Sequence, residues 1–167
     1  MCALLCLDYW DQRKRYADLP FRQYHSHANR QMMASNKPLS DEDRWEWLKT
    51  CLDAAMNKLY DDTKAKCVFL SCSALKKAYR DMMRIPTLKG KIDIHFVYMK
   101  VEEEVFMERI GRRKHHYMKS GMVKSQLEAL EEPGPEETDA VTVDAGRELG
   151  QVVEEVLEVV RRLVGDH

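Results

Sequence analysis

An α/β fold built on a parallel sheet with helical crossovers is predicted by strand-then-helix patterns that recur three times along the chain. Cys67-Val68-Phe69-Leu70, within Lys66 to Cys72, is a short apolar run, and Ile92 to Met99 is a second, rich in β-branched and aromatic residues. Each is followed by a helix-like segment. Ala140 to Val143 makes the third strand, after which Leu149, Val152, Val153, Val156, Val160 and Leu163 trace one face of a terminal helix. Ahead of the first strand, Ser40 is a good N-cap and Asp41, Glu42 and Asp43 suit the positive end of a helix. Trp45, Leu48, Leu52, Met56 and Leu59 then recur at helical spacing.

The 167 residues match the size of one domain, long enough to bury about 68–70% of the unfolded surface. A formal net charge of −1 suggests neither general attraction to nucleic acid nor an acidic tail. The cysteines at 2, 6, 51, 67 and 72 are odd in number and never form C-x-x-C, which points to a reducing compartment and a cytoplasmic address. Met1 to Leu7 is apolar but lacks a basic leader, and charge arrives from Asp8 to Arg15. It therefore reads as neither a signal peptide nor a membrane span. The stretch Tyr9 to Tyr16 has no sustained period, and Glu131 to Thr138, with Pro-Gly-Pro among acids, reads as a surface loop.

Three segments carry candidate chemistry. Ser71 to Arg84 runs from a strand's carboxyl end into a helix, where ligands bind in open α/β sheets. Lys76, Arg80 and Arg84 are four apart and share a face, with Lys77 and Asp81 alongside; they form either a grip for a carboxylate or phosphate, or a solvated basic stripe. Arg109 to Lys119 crowds five fixed positive charges and two histidines behind the acidic start Glu102-Glu103-Glu104. Helix-end charge complementing the dipole explains Arg109. Arg109 and Arg113 on one face also suit a lid that neutralises a transferring phosphoryl group. His115 and His116 point in different directions on a helix, so no metal site is expected. Tyr24-His25-Ser26-His27-Ala28-Asn29 reads as polar loop, and Met32 and Met33 as core filler.

Taken in order, these segments resemble the gluconokinase family of small P-loop kinases. Tyr24-His25, Asn29, Met33, Pro38-Leu39 and Asp41-Glu42-Asp43-Arg44-Trp45 follow that family's Y-H…N…M…P-L-x-D-x-D-R. Cys72-Ser73-Ala74-Leu75-Lys76-Lys77 with Tyr79-Arg80-Asp81 follows its most distinctive signature, and Arg109 to Met118 its lid. Gln126-Leu127-Glu128 to Glu131-Glu132-Pro133, with Glu137, Asp139 and Val143-Asp144, follows its closing segment. The resemblance covers about residues 24–164 and implies a three-layer P-loop kinase-like fold. It also implies transfer of the γ-phosphate of ATP, as its magnesium complex, to the terminal hydroxyl of D-gluconate, giving 6-phosphogluconate. By position, Arg80 and Lys77, with Arg44 and His25, are implied to hold the sugar acid. Arg109 and Arg113 are implied to be catalytic, and with His116 to cover the phosphates. Asp144 is implied to lie near the adenine. No metal-ligating residue is assigned, neither nucleic acid nor membrane is implied as a partner, and a homodimer is compatible with the family.

The chain departs from that pattern at its start. The first glycine is Gly90, no glycine is followed by Lys-Ser or Lys-Thr, and Arg22-Gln23 stand where the family has two aspartates. The expectation is a kinase fold without the first strand, the phosphate loop and the following helix, and with an exposed sheet edge. Residues 1–23 are then a non-homologous leader, an alternative start or gene-model artefact, ahead of a kinase domain at 24–167 with a lid at about 109–119. Little turnover by this chain alone is expected. The alternative is a non-catalytic remnant that binds a sugar acid or pairs with a complete kinase subunit.

Overall fold

Strands form where the three apolar runs stand, and two more come from the first eighteen residues. The structure, a computed structural model, describes residues 2–6, 17–18, 21–61, 67–90, 92–112 and 120–164. Strands β1 (Cys2–Cys6), β2 (Ala17–Asp18), β3 (Cys67–Leu70), β4 (Ile94–Lys100) and β5 (Ala140–Asp144) make one sheet in the order β2-β3-β1-β4-β5. β2 runs parallel to β3 and β5 parallel to β4, whereas β1 is antiparallel to both of its neighbours. The four outer strands therefore share one direction, as the crossover pattern requires.

The central strand corrects one expectation. A sheet without its first strand would leave facing rows of unpaired N–H and C=O groups on β3 and β4, a costly arrangement. The apolar run Cys-Ala-Leu-Leu-Cys fills that slot, pairing Ala3 with Leu70 on one side and Phe96 on the other. No sheet edge is left between β3 and β4, and parts of the leader, β1 and β2, belong to the same sheet as the rest.

Helices cover both faces. On β4, Ile94 and Phe96 face one core cluster, shared with Leu48, Leu52, Leu75 and Met83, while Val97 faces another, with Val143, Val152, Val159 and Val160. Burial of both faces explains why the strands read as continuous apolar runs rather than alternating ones. The first cluster is built by α2 (Asp41–Asp61) and α3 (Lys77–Met83), the second by α7 (Leu149–Val164). Of the stripe expected on α7, Val152 and Val160 are buried, whereas Leu149 is 79% and Val153 47% exposed in its first two turns.

The start of α2 forms as expected. The Asp43 amide donates to Ser40 Oγ at 3.2 Å and Asp43 Oδ2 accepts from the Ser40 amide at 3.0 Å, a reciprocal capping box. Just upstream, the segment expected as polar loop is instead a short helix, α1 (His27–Ala34), whose Ser26 cap accepts from the Asn29 amide. Asn36, with φ of 58°, ends it: Lys37 N reaches Met32 O and Asn36 N reaches Met33 O, the Schellman pattern. The remaining helices are α4 (Ile85–Leu88), α5 (Glu103–Arg112) and α6 (Ser120–Glu128).

Leu48 is fully buried between α2 and the sheet. Leu48→Ala is expected to cost about 2–5 kcal/mol in urea denaturation, whereas Tyr60→Ser, at a position 61% exposed, should change stability by less than about 0.5 kcal/mol.

Candidate functional site

At the carboxyl edge of β3 the chain turns through Ser71 to Lys76 into α3, and that turn is held from across the molecule. Glu131 N donates to Leu75 O at 2.8 Å, and Glu131 Oε2 accepts from the Lys77 amide at 2.7 Å. Arg80, one turn into the helix, is 3% exposed. Its Nε and Nη2 donate to the two carboxylate oxygens of Glu137 at 2.7 and 2.6 Å, and its Nη1 to the carbonyls of Ala74, Leu75 and Glu131.

Arg80 is therefore spent on its own chain, which corrects its expected role in holding a substrate. The wider basic stripe fares the same way. Arg84 donates to Asp139, Glu137 and Asp81 and lies over the Phe96 ring at 4.8 Å, while Lys76 holds Asp41. The stretch expected as surface loop supplies Glu137, only 6% exposed. Glu137 and Asp139 stand in a turn closed by Ala140 N on Glu137 O at 2.9 Å, and that turn presents both acids to Arg80 and Arg84, four apart on one face.

The starts of α2 and α3 meet at Asp41. Its carboxylate accepts from Lys76 Nζ at 2.7 and 2.8 Å and from the Tyr79 hydroxyl at 2.6 Å. The Lys76 bond, then the Tyr79 bond, hold the Asp41 carboxyl below its ordinary range. Burial, then Asp41, push the Tyr79 phenol well up. Tyr79 packs edge-on against Trp45, with ring centroids 4.8 Å apart. His25 stacks flat on Trp47 at 4.4 Å, a second aromatic pair on α2.

Arg44 stands in the first turn of α2, 6% exposed. Among the described residues its hydrogen bonding is limited to Nε on Leu39 O at 3.5 Å, the outer limit of such a bond. Its two terminal nitrogens are left available. Lys77 sits nearby in sequence on α3 and holds Asp81 at 2.8 Å across one helical turn. The rim thus offers the buried Arg44 guanidinium to an anion, while Lys76 and the Tyr79 hydroxyl are engaged by Asp41 and Lys77 by Asp81.

A second group of residues lies at the carboxyl ends of β4 and β5. Arg109, at the end of α5, donates to the carbonyls of Ala145, Gly146 and Arg147. Its expected place over phosphates is corrected: it clamps the β5–α7 turn, whose first residue Asp144 accepts from the Gly146 amide at 2.8 Å. Beside this turn is a cavity of about 560 Å³, lined by Lys100, Glu102, Thr142, Asp144, Arg147 and Glu155 among others. Arg113 and His116 lie outside the described residues. Among the described residues no three His, Cys, Asp or Glu side chains are grouped to hold a metal ion, and no helix is long and apolar enough to cross a membrane.

No protein-family model matches the chain. A probable gluconokinase of Schizosaccharomyces pombe is 38% identical over 143 residues, 86% of this chain and 74% of that protein. The thermoresistant gluconokinase of Escherichia coli is 38% identical over 138 residues, 83% and 75% of the two chains. A solved gluconokinase from Sinorhizobium meliloti superposes with a TM-score of 0.70 at 35% identity, covering 89% of this chain and 79% of that one.

Arg80 and Glu137 yield a prediction. Hydrogen bonds from Arg80 foremost, and from Arg84, pull the Glu137 carboxyl down to about 2 from an ordinary 4.5, against the opposing effect of burial. A depressed carboxyl pKa stabilises the fold fully above the unfolded value and loses that contribution as pH falls. Wild-type stability should therefore decline between about pH 4.5 and 2. Glu137→Ala, which strands a buried guanidinium, should cost about 3–5 kcal/mol at pH 7 and flatten that acid limb in denaturation titrations.

Proposed function

Because the chain belongs to the gluconokinase family, we propose that D-gluconate is its ligand and that it takes part in phosphorylation of that sugar acid to 6-phospho-D-gluconate. The observation that carries this reading is Arg44: a guanidinium 6% exposed whose terminal nitrogens make no hydrogen bond or ion pair among the described residues, with the Asp41 carboxylate acting on it only from a distance. A buried charge of this kind is costly until an anion completes it. The carboxylate of a sugar acid matches the planar fork of an arginine.

Around it the rim supplies what a polyol needs. Asp41, held ionised by Lys76 and Tyr79, accepts hydroxyl hydrogens while its own position is fixed. His25, braced flat on Trp47, gives one side of the pocket, and Lys77 can exchange Asp81 for the incoming anion because both groups are near half exposed. The buried thiol of Cys51, pushed up to about 12 by burial, suits the reducing cytoplasm proposed as its setting.

The family's donor is ATP with magnesium. The described residues do not fit that cradle: no G-x-x-x-x-G-K-[ST] occurs in the 167 residues, and the guanidinium of Arg109 is engaged by backbone carbonyls. No step is routed through the nucleotide.

Isothermal titration with D-gluconate tests the assignment. Arg44→Ala should weaken binding about 10- to 100-fold, the loss of charge-assisted hydrogen bonds, and Arg44→Lys should retain part of it. Thermal denaturation run alongside reports folding; unchanged affinity in a folded Arg44→Ala variant contradicts the assignment.

A further inference from the structure

We infer that this chain binds gluconate as a nucleotide-independent module, because its first strand occupies the centre of the sheet with reversed polarity. The inference rests on the gluconate reading above and concerns the other half of the reaction.

The register sets the geometry. Cys6 pairs with Cys67, the first residue of β3, and Leu5 with Ile94, the first of β4. At the other end Ala3 pairs with Leu70 and Cys2 with Val97, toward the carboxyl ends of those strands. The candidate site lies at that carboxyl edge: Ser71 to Lys77 follow β3, and Asp144 to Arg147 follow β5. A phosphate cradle needs a strand that delivers successive backbone N–H groups and a helix N-terminus to this same edge. β1 instead ends at the opposite edge, about 16 Å away for five residues at ~3.3 Å each.

The slot itself is full. β1 is hydrogen-bonded to β3 on one side and β4 on the other. The reversal is compatible with the fold because antiparallel pairing satisfies the same rows of backbone groups. The acceptor rim does not depend on β1: Asp41, Arg44, Lys76 and Tyr79 are placed by α2 and α3, which pack on each other and on β3. Sugar-acid recognition and nucleotide recognition are thereby separated, and this chain keeps the first.

Calorimetry and thermal shift on the full 167-residue chain decide the matter, with D-gluconate, MgATP and both together, beside a coupled assay for 6-phosphogluconate. Saturable gluconate binding, no MgATP binding up to millimolar levels, no change in gluconate affinity with MgATP and no product from this chain alone are expected, its part in the phosphorylation proposed above being to hold the acceptor. Saturable MgATP binding or product above a no-enzyme control overturns the inference. Absence of gluconate binding, whatever MgATP does, overturns the substrate reading on which it rests. The strand's direction has its own readout, since the register sets two cysteines opposite each other. Diamide treatment followed by peptide mapping should give a Cys6–Cys67 disulfide, and a Cys2–Cys67 link, or none, overturns the reversed strand.

Discussion

A guanidinium and a carboxylate, Arg80 and Glu137, are paired through two hydrogen bonds at 2.6 and 2.7 Å, with side chains 4% and 3% exposed. The pair joins the first turn of α3 to a segment 57 residues further along the chain. Carbonyls of Ala74, Leu75 and Glu131 take the remaining Arg80 donors, so the buried charges are surrounded by hydrogen bonds as such a pair requires. The position of α3, and with it Lys76 and Tyr79, follows from this anchor. Asp41 is then fixed by Lys76 and Tyr79, and Arg44 lies one turn beyond Asp41 on the same helix. The acceptor rim is thus the outer layer of a structure whose inner layer is one ion pair.

The sheet imposes the second constraint. Four strands share a direction and gather their following turns at one edge, which brings the start of α3 and the β5–α7 turn to the same side of the molecule. The fifth strand pairs with the backbone of both neighbours but runs away from that edge. The pairing of a sheet can therefore be satisfied by a strand that does not end at its binding edge. Stability and nucleotide binding are served by different properties of a strand: the first by the presence of paired N–H and C=O groups, the second by the direction in which they run.

Much of this was legible from residue pattern. The strands at Cys67, Ile94 and Ala140 and the helix beginning after Ser40 are marked by short apolar runs, a capping box and helical spacing, all properties of neighbours in sequence. His25, Arg44 and Lys77 were picked out by their place in a family pattern, and the substrate role proposed for them rests on that resemblance. The roles of Arg80 and Arg109 were misread, because a cation's partner is set by what folds against it. Glu137 approaches Arg80 only after three helices and a strand have intervened, and the carbonyls of 145–147 approach Arg109 only once β5 lies beside β4. The helix at His27–Ala34 was missed because its signals are polar: a serine cap and an asparagine in the left-handed region, with little apolar periodicity between them.

The sequence by itself determined the layer architecture and the family, since these depend on apolar periodicity and on ordered motifs along the chain. Only the tertiary structure decided which cations are spent and which remain, and which way the first strand runs. Charge pairing depends on distances between segments far apart in sequence. Strand direction depends on which backbone rows are left open, and Cys-Ala-Leu-Leu-Cys offers the same apolar pattern read in either sense.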